Sequence, residues 1–169
     1  MQNLNEAYEH NLKLYFDSKR KDLDILLSTT IPTQKNLMRT ILWLNSSFFA
    51  FIIALISKEN IHKFLIIAMS IPFLFSFFAI LFILFSLKEG RIKFFGTLQL
   101  EVINLIAQDE NEKIQGLLDM NTSLNLAFNS NAEIVKKRAN KIAKATNLTI
   151  MSAISIFLII IFYVNIVIL

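Results

Sequence analysis

The sequence predicts an all-α membrane protein: three transmembrane helices, an N-terminal amphipathic helix, and a helical cytoplasmic segment between the second and third spans. Apolar runs cover residues 41–56, 64–87 and 148–169. Crossing ~30 Å of hydrocarbon takes about 20 mostly apolar residues as helix, so the last two runs suffice and the first does with 37–40 added. Composition agrees, with 54% hydrophobic and 18% charged residues and a mean hydropathy of +0.53. Such a chain folded in water would expose far too much apolar surface. No Asp, Glu, Lys, Arg or His falls within the three runs. The chain divides into an amphipathic helix (1–32), a transmembrane hairpin (33–87, spans about 37–56 and 64–87), a cytoplasmic helical segment (88–147) and a third span (148–169).

Charge sets the expected orientation. Of the 17 Lys and Arg residues, 15 lie before residue 41 or between 88 and 147, and two in the short loop 57–63. The positive-inside rule places the N-terminus and segment 88–147 in the cytoplasm, and the loop and C-terminus outside. The N-terminus, with Glu6 and Glu9, lacks the basic and apolar regions of a secretory signal, so no cleavage is expected.

In the N-terminal helix, Leu4, Tyr8, Leu12, Phe16, Leu23 and Leu27 recur at spacings of four or seven, with Lys19, Arg20, Lys21 and Asp22 between them. Pro32 removes a donor and biases Ile31 toward an extended conformation, so an interruption is expected at 29–32 and a new helix near Thr33. In the first span Asn36, Thr40, Ser47, Ala50 and Ala54 share a narrow arc, with Asn45 outside it. Small and hydroxyl residues let helices approach closely in lipid, so this arc reads as a helix contact or a pore-lining face. The second span carries Ala68, Pro72, Ala79 and Ser86 on one side, with Ser76 near it.

Beyond Leu87, Arg91, Lys93, Phe94, Phe95 and Gly96 suit a membrane-surface elbow, the cations meeting lipid phosphates and the rings entering the interface. A break is expected at 108–111. From about Asp119 the chain has no Pro or Gly through 147, which predicts one helix running into the third span. Its Asn121, Asn125 and Asn129 recur every four residues, a ladder suited to an interface or to solvent. Lys136, Lys137, Arg138, Lys141 and Lys144 form the densest charge in the chain, and Lys137, Lys141 and Lys144 share a face. Such a cluster either sets topology against anionic lipid or, repeated around an oligomer axis, binds an anionic ligand.

Chemistry is sparse. Zero Cys and two isolated histidines, His10 and His62, supply no metal site, and no phosphate loop, dinucleotide fingerprint or catalytic triad appears. No enzyme activity, cofactor or metal is expected. The lack of charges in the three apolar runs counts against ion-coupled transport, proton relays and voltage sensing. Amphipathic helices in so thin a cytoplasmic part need partners, which predicts a symmetric homo-oligomer.

Two spans, Phe94-Phe95-Gly96, Asn129-Ser130, and Lys136-Lys137 ahead of a third span give a pattern over roughly residues 37–169 that resembles the small transmembrane effectors of bacterial anti-phage defence. It is most similar to the Pycsar-type effectors, with SLATT domains and the Hailong channel effector as neighbours. At the mouth of the first span, where that group carries an Ala-Asp-x-Lys-Ala element, this chain reads Gln34-Lys35-Asn36. The resemblance implies an inner-membrane effector controlled by a nucleotide or oligonucleotide from a partner nucleotidyltransferase, permeabilising or depolarising the membrane during infection. On that reading Asn45, Ser47, Ser152 and Ser155 are candidates for the pore lining, and Lys137, Arg138, Lys141 and Lys144 for ligand or partner sensing. A non-conducting membrane anchor for a cytoplasmic partner and a holin-like lysis protein are the alternatives.

Overall fold

The computed structural model describes residues 2–57, 63–93 and 110–168. Every regular element among them is helical: α1 (Gln2–Ile25), a π-helical turn (Leu26–Thr30), α2 (Ile31–Ile56), α3 (Lys63–Leu87) and α4 (Glu110–Ile168). Three helical stretches are long and apolar enough to cross a membrane, one ending at Ile56, one at Lys63–Leu87 and one within α4. Among the described residues the chain is thus all-α, with three candidate membrane-spanning helices. The expected elbow residues Phe94, Phe95 and Gly96 lie outside the described residues, as does His62.

The break expected at Pro32 does not occur. Ile31 is helical, with φ −66° and ψ −46°, and its N–H bonds to the Leu26 carbonyl five residues back. Proline has no N–H for the carbonyl four residues before it, and its ring crowds that carbonyl. A wider π turn just upstream absorbs both problems without ending the helix. The final helix, expected from about Asp119, starts earlier, at Glu110, and runs to Ile168 without interruption.

The residues fall into two compact units, Met1–Pro32 with Gly90–Lys136, and Thr33–Glu89 with Lys137–Leu169. In the first unit Leu23 packs against Leu124 and Ala127, with Phe16, Leu27 and Phe128 closing the cluster. Tyr8 is exposed.

The second unit holds the spans. α3 buries Leu65, Met69, Pro72, Ser76, Ala79, Ile83 and Ser86, spaced alternately by four and three residues, so one seam of the helix faces inward. Toward one end it meets Met38, Ile41, Ile142 and Ala145, and toward the other Ile52 and Ile156. The order of these contacts makes α2 and α4 run parallel and α3 antiparallel to both. Ile53, Ile67, Phe77, Phe85, Phe157 and Phe162 are exposed, as lipid-facing side chains are.

In α2 the structure uses a different face from the one the small-residue arc suggests. Met38, Ile41, Asn45 and Ile52 are buried, whereas Asn36, Thr40, Ser47, Ala50 and Ala54 are exposed. Asn45 explains the choice: an amide N–H in hydrocarbon is costly if unpaired, and the interior supplies the Asn45 NH2 group a partner in Thr149. Thr40 and Ser47 need none from outside, since their hydroxyls donate to the Asn36 and Trp43 carbonyls one turn back.

Candidate functional site

Between the two apolar clusters of the second unit lies a polar layer. Asn45 Nδ2 donates to the Ile41 carbonyl at 2.7 Å and to Thr149 Oγ1 at 2.8 Å. The Thr149 hydroxyl in turn donates a hydrogen bond to the Ala145 carbonyl at 2.8 Å. Ser76 and Ser152 hydroxyls lie 2.8 Å apart, and Ser152 Oγ donates to the Pro72 carbonyl at 3.0 Å. That carbonyl can take the serine proton in addition to a backbone bond within α3, because a carbonyl oxygen has two lone pairs. Asn45, Ser76 and Ser152 are fully buried. Hydroxyl and amide bonds of this kind join helices in lipid, each worth about 0.6 kcal/mol on average.

Two of the four residues expected in a pore lining, Asn45 and Ser152, lie in this layer. Asn45 and Ser152 are enclosed among α2, α3 and α4 of a single chain with their donors spent there, so neither presents a polar surface outside it. Ser47 is exposed and Ser155 partly so, each hydroxyl donating to the carbonyl four residues before it, Trp43 and Met151.

The basic cluster of α4 closes the C-terminal end of α3. A helix leaves its last carbonyls without donors and carries a partial negative charge there, so cations from a neighbouring helix are favoured. Lys141 Nζ donates to the Phe85 carbonyl at 3.2 Å and forms an ion pair with the Glu89 carboxylate. Arg138, only 7% exposed, donates through Nη2 to the Glu89 carbonyl at 2.8 Å. The hydrogen bond from Lys141 holds the Glu89 carboxyl below its ordinary pKa, with the charges of Lys137 and Arg138 adding to it. Lys144 stands 5.8 Å over the Phe82 ring, and both Lys144 and Lys137 are exposed. Of the four expected sensing residues, then, Arg138 and Lys141 are engaged with α3, and Lys137 and Lys144 flank them at the surface.

In the first unit the asparagine ladder is part of the packing. Asn121 Nδ2 reaches the Leu12 carbonyl at 3.3 Å, and Asn125 Oδ1 accepts from the Tyr15 hydroxyl at 3.1 Å. Asn129 lines an open cavity of about 370 Å³ with Lys93, Ser123, Ser130 and Glu133. Asn131, fully buried, pairs with both backbone groups of Lys93, accepting from its N–H at 2.8 Å and donating to its carbonyl at 2.6 Å. Periodicity cannot single out Asn131, because its partner is an irregular backbone rather than a helix. Glu89 escapes sequence reasoning for a similar reason: a lone carboxylate among cations has no motif, although its position just past an apolar run is a usable signal.

Among the described residues no three His, Cys, Asp or Glu side chains stand together as metal ligands. No protein-family model, curated protein or solved structure matches the chain.

Proposed function

We propose that the chain is an inner-membrane effector of bacterial anti-phage defence that assembles into a homo-oligomeric, gated, ion-conducting pore. The observation that carries this reading is α4: one uninterrupted helix, Glu110–Ile168, bears both the basic cluster and the third span. An anionic signal bound at the cluster would act on the same helix that crosses the membrane, and only through its different affinity for closed and open assemblies. The signal class is a nucleotide or oligonucleotide made by a partner nucleotidyltransferase, with Lys137 and Lys144 as its exposed contacts. The exposed arc of α2, with Ser47 at its centre, supplies close-packing and hydroxyl groups for neighbouring copies or a lumen.

A second reading has its own support. The hydrogen bonds of the polar layer, Asn45 to Thr149 and Ser76 to Ser152, are made inside one chain, which suits a non-conducting anchor for a cytoplasmic partner. Planar-bilayer recording of the purified, size-characterised protein, with and without cytosolic nucleotides, separates the two. Discrete, signal-dependent currents from a defined oligomer support the effector; silence under every condition supports the anchor.

A further inference from the structure

Glu89 is engaged twice by the basic cluster of α4, at its carboxylate by Lys141 and at its carbonyl by Arg138. Lys137, Arg138, Lys141 and Lys144 follow one another at helical spacings of one, three and three residues on α4, and Lys141 pairs with the Glu89 carboxylate just past the end of α3. The α3 C-terminus adds about half a negative charge. The Glu89 carboxylate lies in the field of Lys137 and Arg138 as well as Lys141, so more than one cation faces it. The site is also built rather than incidental. Arg138 is buried, its Nη2 fixed on the Glu89 carbonyl, and Lys141 is held at once by the Phe85 carbonyl and the Glu89 carboxylate.

We infer that Glu89 is an internal latch occupying a phosphate site, and that a phosphodiester group displaces its carboxylate from Lys141 with Lys137 and Lys144 completing the contact. A carboxylate and a phosphodiester each present two anionic or half-anionic oxygens to ammonium donors, so they compete for the same cations. Arg138 bonds the backbone of Glu89 rather than its carboxylate, so release of the side chain leaves the end of α3 still tied to α4. The phosphate can belong to an anionic lipid headgroup or to a soluble nucleotide. The inference deepens the sensing role proposed above and rests on it.

The test is binding by the full chain in nanodiscs. In one arm, phosphatidylcholine discs are titrated with a fluorescent dinucleotide carrying a single phosphodiester. In the other, phosphatidylglycerol is added to the discs and bound lipid is counted by native mass spectrometry. E89Q, which keeps size but loses charge, is expected to bind one of the two probes about threefold or more tightly than wild type, and K137Q/K141Q to bind it more weakly. The arm that responds identifies the source of the phosphate. Equal or weaker binding of both probes by E89Q, with unchanged elution and helicity, overturns the latch. If E89Q fails to fold, E89D takes its place, since a shorter side chain reaches Lys141 less well, and wild-type affinity for both probes in E89D overturns it likewise. Current is not the readout: tighter binding without any current would keep the latch and remove the pore, and signal-gated current with unchanged E89Q binding would remove the latch alone.

Discussion

Asn45 and Thr149 face each other at 2.8 Å inside the spans, the amide donating and the hydroxyl accepting. Their bond joins α2 to α4 at a position buried within the protein, away from water. Replacing Thr149 by Val should cost about 0.6–1.7 kcal/mol of unfolding free energy in a bilayer or micelle. N45L should cost more, because it also overfills a packed position. On the pore reading proposed above, neither change should alter conductance, whereas substitution of the exposed Ser47 by a bulkier residue should reduce it. A conductance that tracks residue 45 instead would put the lumen inside the three-helix interior.

Ser76 and Ser152 make the complementary case, because each is the other's partner. S152A alone leaves Ser76 buried without that bond and should destabilise the protein by about 1 kcal/mol. The double change S76A/S152A removes both hydroxyls at once and should cost less than the sum of the two single changes. A double-mutant cycle by reversible unfolding in detergent reads the coupling directly, and strict additivity would mean that the two hydroxyls do not interact.

The spans are legible because hydrocarbon thickness imposes a length that any apolar run can be measured against. Which face of each span turns inward is legible only for α3, where Pro72, Ala79 and Ser86 lie on the buried seam. In α2 the small-residue arc points outward, because burial there follows the need of Asn45 for a partner 104 residues away, and no local pattern reports such a pairing. The break expected at Pro32 fails for a related reason: the rule describes an α-helix, and the chain changes the helix type instead of ending it. The basic cluster is plain in the sequence, but its engagement with Glu89 and the Phe85 carbonyl depends on where α3 ends beside α4.

The pH response of the first unit follows from Glu9. Hydrogen bonds from Lys113 and then Lys13, at 2.8 and 2.5 Å, hold its carboxyl below the usual value. A carboxyl depressed in the folded state contributes stability that is present above the pKa of the unfolded chain and is lost as pH falls through the folded value. Thermal unfolding of wild type and E9Q should therefore differ at neutral pH and converge as the solution is acidified below the ordinary carboxylate range. A difference that persists unchanged to low pH would assign the effect of E9Q to packing rather than to the ion pairs.

Asn131 gives the sharpest local test, because one side chain satisfies two backbone groups of the same residue, Lys93. N131A removes both partners at a buried position, and each backbone group left unsatisfied costs about 1–3 kcal/mol unless water reaches it. The segment should respond by opening, so hydrogen exchange at the Lys93 amide should quicken by at least about tenfold, the factor that about 1.4 kcal/mol represents. N131D separates the two bonds: its carboxylate can still accept from the Lys93 N–H but has no proton for the carbonyl, and it adds a buried charge. Exchange in N131D should fall between wild type and N131A if the N–H bond dominates, and should match or exceed N131A if burial of the charge does. An Asn131 substitution that left Lys93 exchange at the wild-type rate would show that the segment after α3 is held by other contacts, with the packing of Gly90 against Ile134, where an added Cβ would come within 3.0 Å of Ile134 Cδ1, the next one to break.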